Sequence, residues 1–233
     1  MKKIFKSALN TAGIDIRRYY SKRKARHESL YNRYKDFTMM DKVLFCANLE
    51  LCERFINVEG EYAECGVWRG GMSAAIAEII GNHRKLNLFD SFEGLPQAGE
   101  IDGKEAMEWQ QNKSGATYYN NCTAEQKYVQ HAMALASQSN YQIFPGWFSA
   151  TLPDFKPTNI GILRLDGDWY ESILTSLKYL YPMVVENGLI ILDDYSQWTG
   201  CSRAVHKYLS DINSPSRIHE SPDGVTYILK KNQ

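Results

Sequence analysis

Cysteine is scarce and badly placed for pairing. The 233-residue chain holds five (Cys46, Cys52, Cys65, Cys122 and Cys201), an odd number, widely scattered and without a C-x-x-C pair. That argues against a disulfide framework or a structural zinc site and favours a reducing cytosol. Long apolar runs are missing too: none reaches the ~18 residues needed to span a bilayer. The basic start, MKKIFKSALNTAGIDIRRYY, lacks the continuous apolar stretch and small-residue cleavage site of a signal peptide. A soluble cytoplasmic protein is expected. Net charge is absent, with 27 basic against 27 acidic residues, so nothing pulls the chain toward nucleic acid. The five histidines show no metal-type spacing, and no P-loop, Ser-His-Asp arrangement, nucleic-acid motif or internal repeat stands out.

What is present is an apolar fraction of 44% with 15 Tyr, 9 Phe and 5 Trp, enough to bury the core of one sizeable domain. Residues 1–26 hold nine Lys/Arg against one acidic residue. This basic arm, taken as residues 1–35, reads as a short amphipathic helix with Ile4, Phe5, Ala8 and Leu9 on one side and Gly13 at its end. It suits either weak contact with an anionic membrane surface or packing on its own domain or a partner subunit. The remainder, 36–233, reads as the main domain. It opens with a helix in MMDKVLFCANLELCERFI, where Val43, Leu44, Ala47, Leu51 and Phe55 fall at helical spacing.

From residue 61 the pattern alternates. EYAEC runs into the glycine turn GVWRGG, and a helix follows that ends at Gly81. KLNLFDS, YQIFPGW, IGILRLD, GLIILDD and VTYILKK read as further strands. WYESILTSLKYLYPMV and CSRAVHKYLSDI read as helices. Residues 97–140 interrupt this as a polar insert, the kind of segment that forms a lid, binding loop or inserted helix. Strands alternating with helices, and strands as continuously apolar as IGILRL and GLIIL, predict an α/β doubly wound, mostly parallel sheet covered on both faces.

In such a sheet ligands bind at the carboxyl ends of the strands. Glu64 to Gly71 is the first candidate, an E-x-G-x-x-x-G turn in which Gly66 permits the bend and Gly70 and Gly71 permit close approach. Asp90 ends the next strand, 24 residues past Gly66, near the ~20-residue interval at which an acidic group holds ribose hydroxyls. Its alternative role is to open the turn DSFEGLP. Together these features favour a nucleoside-type cofactor. The turn has one glycine fewer than a pyrophosphate cradle needs, which tilts the choice from NAD toward S-adenosylmethionine (SAM).

Four aspartates carry the second candidate. Asp166 ends one strand, and Asp193 and Asp194 end the neighbouring one, so the three can converge on one cleft. Asp168 opens D-x-x-E, the pattern of a capping box with Glu171. A catalytic role can coexist with that cap. Converging carboxylates repel one another unless a cation intervenes, and oxygen-only ligation suits Mg²⁺ or Mn²⁺. Turn formation is the alternative for Asp193 and Asp194. Trp68, Trp147, Trp169 and Trp198 follow strand ends, placed either to stack on a ligand or to pack the core. His206 suits a helix surface, and His131 lies within the insert.

The stretches ECGVWRGG, DSFEGLP, PGWFSATLP, LRLDGDWYES, LYPMVVENGLIILDDY and AVHKYL, with FTMMDKV upstream, resemble the macrocin O-methyltransferase (TylF-type) family over roughly residues 36–210. The resemblance implies a Rossmann-like class I methyltransferase fold and SAM- and Mg²⁺-dependent methylation of a sugar hydroxyl in glycan or glycosylated natural-product biosynthesis. It implies that Glu64, Gly66, Val67, Trp68, Arg69, Gly70 and Gly71 wrap the methionine half of SAM. Asp90 would bind the ribose, with Ser91 and Phe92 beside it, and Gly146, Trp147 and Phe148 would lie near the adenine. Asp166, Asp193 and Asp194 would hold the metal, with Asp166 or Asp168 as general base. The insert would recognise the sugar-containing acceptor, and a homo-oligomer is implied. A phenolic acceptor and a non-catalytic SAM-binding module are the alternative readings.

Overall fold

The structure is a computed structural model and describes residues 16–232. The amphipathic segment around Ile4 to Gly13 therefore lies outside the described residues. Helix α1 (Ile16–Tyr34) leads into α2 (Lys42–Glu53), whose first turn is capped by Asp41 through the N–H groups of Val43 and Leu44. Then come β1 (Glu61–Cys65), α3 (Gly71–Ile80) and β2 (Leu86–Asp90). The insert is not a bare loop. It carries α4 (Lys104–Gln111) and α5 (Gln126–Leu135), with short 3₁₀ turns at Glu100–Asp102 and Asn120–Cys122. The chain continues through β3 (Tyr141–Pro145), α6 (Phe148–Thr151), β4 (Ile160–Leu165), α7 (Tyr170–Leu180), β5 (Val184–Leu192) and α8 (Thr199–Asp211). It closes with β6 (Ile218–Glu220) and β7 (Thr226–Leu229).

The sheet order is β3-β2-β1-β4-β5-β7-β6. The first five strands are parallel; β7 runs antiparallel to β5, and β6 antiparallel to β7. Strand order reverses between β1 and β4, the place where a doubly wound sheet opens a crevice. Every residue of β4 is buried, Arg164 included, as its near-continuous apolar pattern predicts.

Strand pleating divides the core into two layers. Tyr62, Ile162, Leu189 and Ile191 face α1, α2, α3 and α5. Ala63, Leu163, Leu165, Ile190 and Leu192 face α7 and α8. Helix α1 packs into the first layer through Leu30 and Tyr34, and the Tyr34 hydroxyl donates to Glu78 Oε1 at 2.6 Å. Three arginines of this helix, Arg23, Arg26 and Arg33, have acidic partners on α2 and α3. Arg23 Nε lies 2.7 Å from Glu53 Oε2, and Arg33 Nη1 lies 2.6 Å from Glu78 Oε1. Among the described residues no helix is long and apolar enough to cross a membrane.

Candidate active site

A cavity of about 940 Å³ lies at the carboxyl ends of β1, β2, β4 and β5, within the size range of small-molecule sites. Its first wall is the turn after β1. Gly66 has φ +89°, and a Cβ there would stand 1.6 Å from the Asp166 carbonyl oxygen. The glycine is needed because the turn after β1 presses against the backbone after β4. Gly71 starts α3 beneath the Phe37 carbonyl oxygen, which a Cβ would meet at 2.6 Å. Close approach at these two positions is thus to neighbouring backbone.

Asp90 ties the turn together. Its Oδ2 accepts from the Trp68 N–H at 2.8 Å and its Oδ1 from the Phe92 N–H at 2.7 Å. Both donors sit at positive φ, 47° and 59°, conformations that side chains tolerate only when held. Burial pushes the Asp90 carboxyl above its usual range, against the N–H groups of Phe92, Trp68 and Val67. Ser91 Oγ donates to the Gly94 carbonyl at 3.0 Å. Arg69 does not line the cavity, and its guanidinium lies over the rings of Trp68 and Tyr128 at 4.5 and 4.7 Å. Glu64, Val67, Trp68, Ser91, Trp147 and Phe148 line the cavity, whereas Arg69, Gly70, Gly71, Phe92 and Gly146 stand behind its wall.

Glu64 is 1% exposed and receives three donors: the Tyr62 hydroxyl at 2.7 Å, the Ser73 hydroxyl, and Arg164 Nη1 at 2.7 Å. Arg164 Nη1 also lies 2.8 Å from Asp166 Oδ2, and its Nη2 lies 2.7 Å from Asp193 Oδ1. The Asp193 contact is an ion pair outside hydrogen-bond alignment. A guanidinium inside an apolar strand was the sequence signal for this residue, since charge is rarely buried without partners.

The four aspartates separate by strand geometry. Oxygens of Asp166, Asp168 and Asp194 lie within 4.8 Å of one another. Asp193, one residue from Asp194, faces the other side of the pleat and turns to Arg164. The cluster therefore contains Asp168 where the strand-end pattern suggested Asp193.

Asp168 does not cap α7. The N-cap position is Trp169, without a side-chain cap, and the Tyr170 N–H is satisfied by Asp102 Oδ1 of the insert at 2.7 Å. Asp168, at φ 54°, donates its N–H to Asp194 Oδ2 at 2.9 Å. Its own Oδ1 accepts from Trp198 Nε1 at 2.9 Å.

Asp166 keeps 31% of its side chain open, toward a cavity otherwise walled by protein. Burial, then the neighbouring negative charges of Asp193 and Asp168, push its carboxyl well above the usual range even with Arg164 opposing. Asp194 is driven the same way by burial and by Asp168, Asp166 and Asp193. Asp168 is pushed up to about 7 by burial, with Trp198 opposing. Such a set of oxygens suits a hard divalent cation. A nucleoside-type ligand also fits the cavity, whose lining includes two buried polar atoms without partners, Trp68 Nε1 and Asn48 Oδ1.

Two of the four tryptophans belong to the core. Trp169 (2% exposed) and Trp198 (7%) pack edge-to-face, with Trp109 of α4 completing the group. Trp147 remains 38% exposed at the cavity mouth. His131 packs edge-on against Phe37, and His206 pairs with the Tyr195 hydroxyl at 2.8 Å.

The chain is similar to known methyltransferases. It is 31% identical over 173 residues to the 8-demethyl-8-(2,3-dimethoxy-alpha-L-rhamnosyl)-tetracenomycin-C 4'-O-methyltransferase of Streptomyces olivaceus, covering 72% of this chain and 64% of that one. It is 34% identical over 163 residues to the demethyldecarbamoylnovobiocin O-methyltransferase of Streptomyces niveus, covering 65% and 59%. The match thus spans less than two thirds of either relative. Among solved structures, the O-methyltransferase NovP superimposes with a TM-score of 0.69 at 26% identity, over 84% of this chain and 83% of that one. The calicheamicin methyltransferase CalS11 shares the fold, with a TM-score of 0.62 at 18% identity over 80% and 78%. The family model described as macrocin-O-methyltransferase (TylF) matches residues 2–225, nearly the whole chain, and the protein belongs to that family.

Proposed function

We propose that this protein transfers a methyl group from SAM to a hydroxyl of a sugar, in glycan or glycosylated natural-product biosynthesis, with a divalent cation, Mg²⁺ or Mn²⁺. The observation that carries the reading is one cavity holding both the Asp90-tied turn and the converging oxygens of Asp166, Asp168 and Asp194. SAM, when bound, supplies an electrophilic methyl group on a sulfonium that leaves as a neutral thioether. A divalent cation, when bound, lowers the pKa of a hydroxyl that is otherwise a poor nucleophile.

The chain's own residues then have separable tasks. Asp90 retains acceptor capacity for ribose hydroxyls beyond its backbone bonds, because a carboxylate offers about four lone-pair sites. Trp68 and Trp147 offer ring faces and edges to the nucleoside. Asp166 and Asp194 are the proposed cation ligands common to the strand-end pattern and the observed cluster. Asp168, fixed by Trp198, is the proposed acceptor of the sugar hydroxyl proton, and its raised pKa of about 7 suits that work near neutral pH. The insert supplies the acceptor wall through Trp109 of α4 and Thr117 in the turn that follows it.

Cytoplasmic location is supported by five free cysteines. A homo-oligomer, and contact of the basic N-terminal segment with a membrane surface, complete the proposal; light scattering and vesicle co-sedimentation test them. The catalytic test is S-adenosylhomocysteine release with SAM, Mg²⁺ or chelator, and a panel of glycosides, nucleotide sugars and catechols. Cation-dependent turnover with a sugar acceptor is expected. Methylation of catechols alone would replace the sugar with a phenol, and SAM binding without turnover on any acceptor would leave a binding module.

A further inference from the structure

Arg164 stands in β4, the strand buried along its whole length, and is 1% exposed. A buried cation is costly unless it is paired with good geometry. Here the sheet supplies three carboxylates. Glu64 is its register partner on β1, and Asp166, two residues on, shares its face. Asp193 lies two residues beyond Ile191, the register partner on β5. These groups span three strands, about 10 Å from β1 to β5. A planar guanidinium with donors fanned in a fixed fork serves all three, whereas a lysine ammonium is a point charge.

Glu64 belongs to the half of the cavity with the glycine turn and Asp90. Asp166 and Asp193 belong to the acidic half. We infer that Arg164 is a positioning residue that assembles the methyl-donor half of the cavity in advance, as resident counter-ion of Glu64, Asp166 and Asp193, so that SAM binds without the cation. The inference rests on the methyltransferase reading for the identity of the donor. It also divides the acidic half: Arg164 occupies Asp193 and one oxygen of Asp166, leaving Asp194 and the other Asp166 oxygen for a cation, with Asp168 beside them as the proposed proton acceptor. Guanidinium and cation meet at Asp166.

The test is calorimetric titration of the full chain with SAM, in Mg²⁺ or in EDTA, for the wild type and Arg164→Lys. In the wild type the two buffers should agree within about threefold, below the coupling typical of linked sites. In Arg164→Lys, affinity in EDTA should fall by at least about tenfold, because an ammonium keeps the charge but loses the fork that holds all three carboxylates. Mg²⁺ should then recover part of that loss, because the ion supplies positive charge at Asp166 where a single ammonium cannot serve all three carboxylates. Wild-type affinity for Arg164→Lys in EDTA overturns the inference. An equal loss in both buffers also overturns it, as that marks a general packing defect. Should the variant not fold, side-chain ¹⁵N spectra of the wild type in EDTA decide: resolved, slowly rotating Nη resonances for Arg164 support the inference, and averaged ones overturn it. A wild type that binds no SAM in either buffer removes the methyltransferase reading and this inference with it, whereas failure of the arginine role alone leaves wild-type binding intact.

Discussion

Trp198 Nε1 donates to Asp168 Oδ1 at 2.9 Å across 30 residues of sequence, while the Asp168 N–H donates to Asp194 Oδ2. The indole is packed among Trp109 and Trp169, so it holds the carboxylate from a rigid support. We predict that Trp198→Phe keeps the packing and loses the donor. A hydrogen bond to a charged group contributes ~1.5–3 kcal/mol, so turnover should fall by about ten- to a hundredfold. The KM for SAM should stay near its wild-type value. A raised KM with unchanged turnover would refute this role.

The acidic cluster should show itself in stability against pH. Asp168 titrates at about 7 in the folded chain, above its ordinary unfolded value near 3.9. A carboxyl raised on folding contributes stability at low pH that is lost as pH rises through the folded value. In EDTA the melting temperature should therefore decline between about pH 4 and about pH 7 and level off above that, and Asp168→Asn should flatten the slope. His27, whose pKa burial lowers, acts equally in both proteins and cancels in the comparison. Added Mg²⁺ should stabilise more at the higher pH, because protons and cation compete for the same oxygens. A wild-type slope that Asp168→Asn leaves untouched would count against the assignment.

Cation affinity separates the two consecutive aspartates. Asp194→Asn should weaken Mg²⁺-dependent stabilisation by at least about tenfold. Asp193→Asn, whose carboxylate already faces Arg164, should cost less. The readouts are the Mg²⁺ concentrations for half-maximal turnover and half-maximal thermal shift. A larger loss for Asp193→Asn would restore the set of Asp166, Asp193 and Asp194.

Gly66→Ala should cripple folding. Its Cβ would overlap the Asp166 carbonyl oxygen, and φ +89° disfavours any side chain. The cost should exceed about 3 kcal/mol, read from the denaturant midpoint. An unchanged midpoint would show that the turn relaxes freely.

Asp102 links the insert to the cluster's own helix, capping α7 at Tyr170 and holding the Gly99 N–H at 2.8 Å. Asp102→Ala should cost about 1 kcal/mol or more, the usual value of a lost cap. Asp102→Asn, which keeps an acceptor, should retain most of it. Equal destabilisation by both would point to the charge as the feature that matters.

Much of this architecture is legible in the chain because strands and helices advertise their burial locally. The runs IGILRL and GLIIL are buried as an interior parallel strand requires, and the helix after the glycine turn ends at Gly81. Asp90 and Asp166 stand at strand ends, as their position after apolar runs implies. β6 left no such trace: Ile218–Glu220 is three residues long, two of them polar, and it pairs only along the edge that β7 offers it. The insert's two helices are likewise short, eight and ten residues.

What sequence by itself determined is the order of elements, the glycine turn and the presence of four carboxylates at strand ends, because each depends on neighbours a few residues away. Which carboxylates meet was decided by the tertiary structure. The pleat sends Asp193 and Asp194 to opposite faces, Arg164 draws the former across from β4, and Trp198 claims the carboxylate that D-x-x-E had suggested as a cap. Each of those partners is distant in sequence or on another strand, and local pattern carries no information about distances across a sheet.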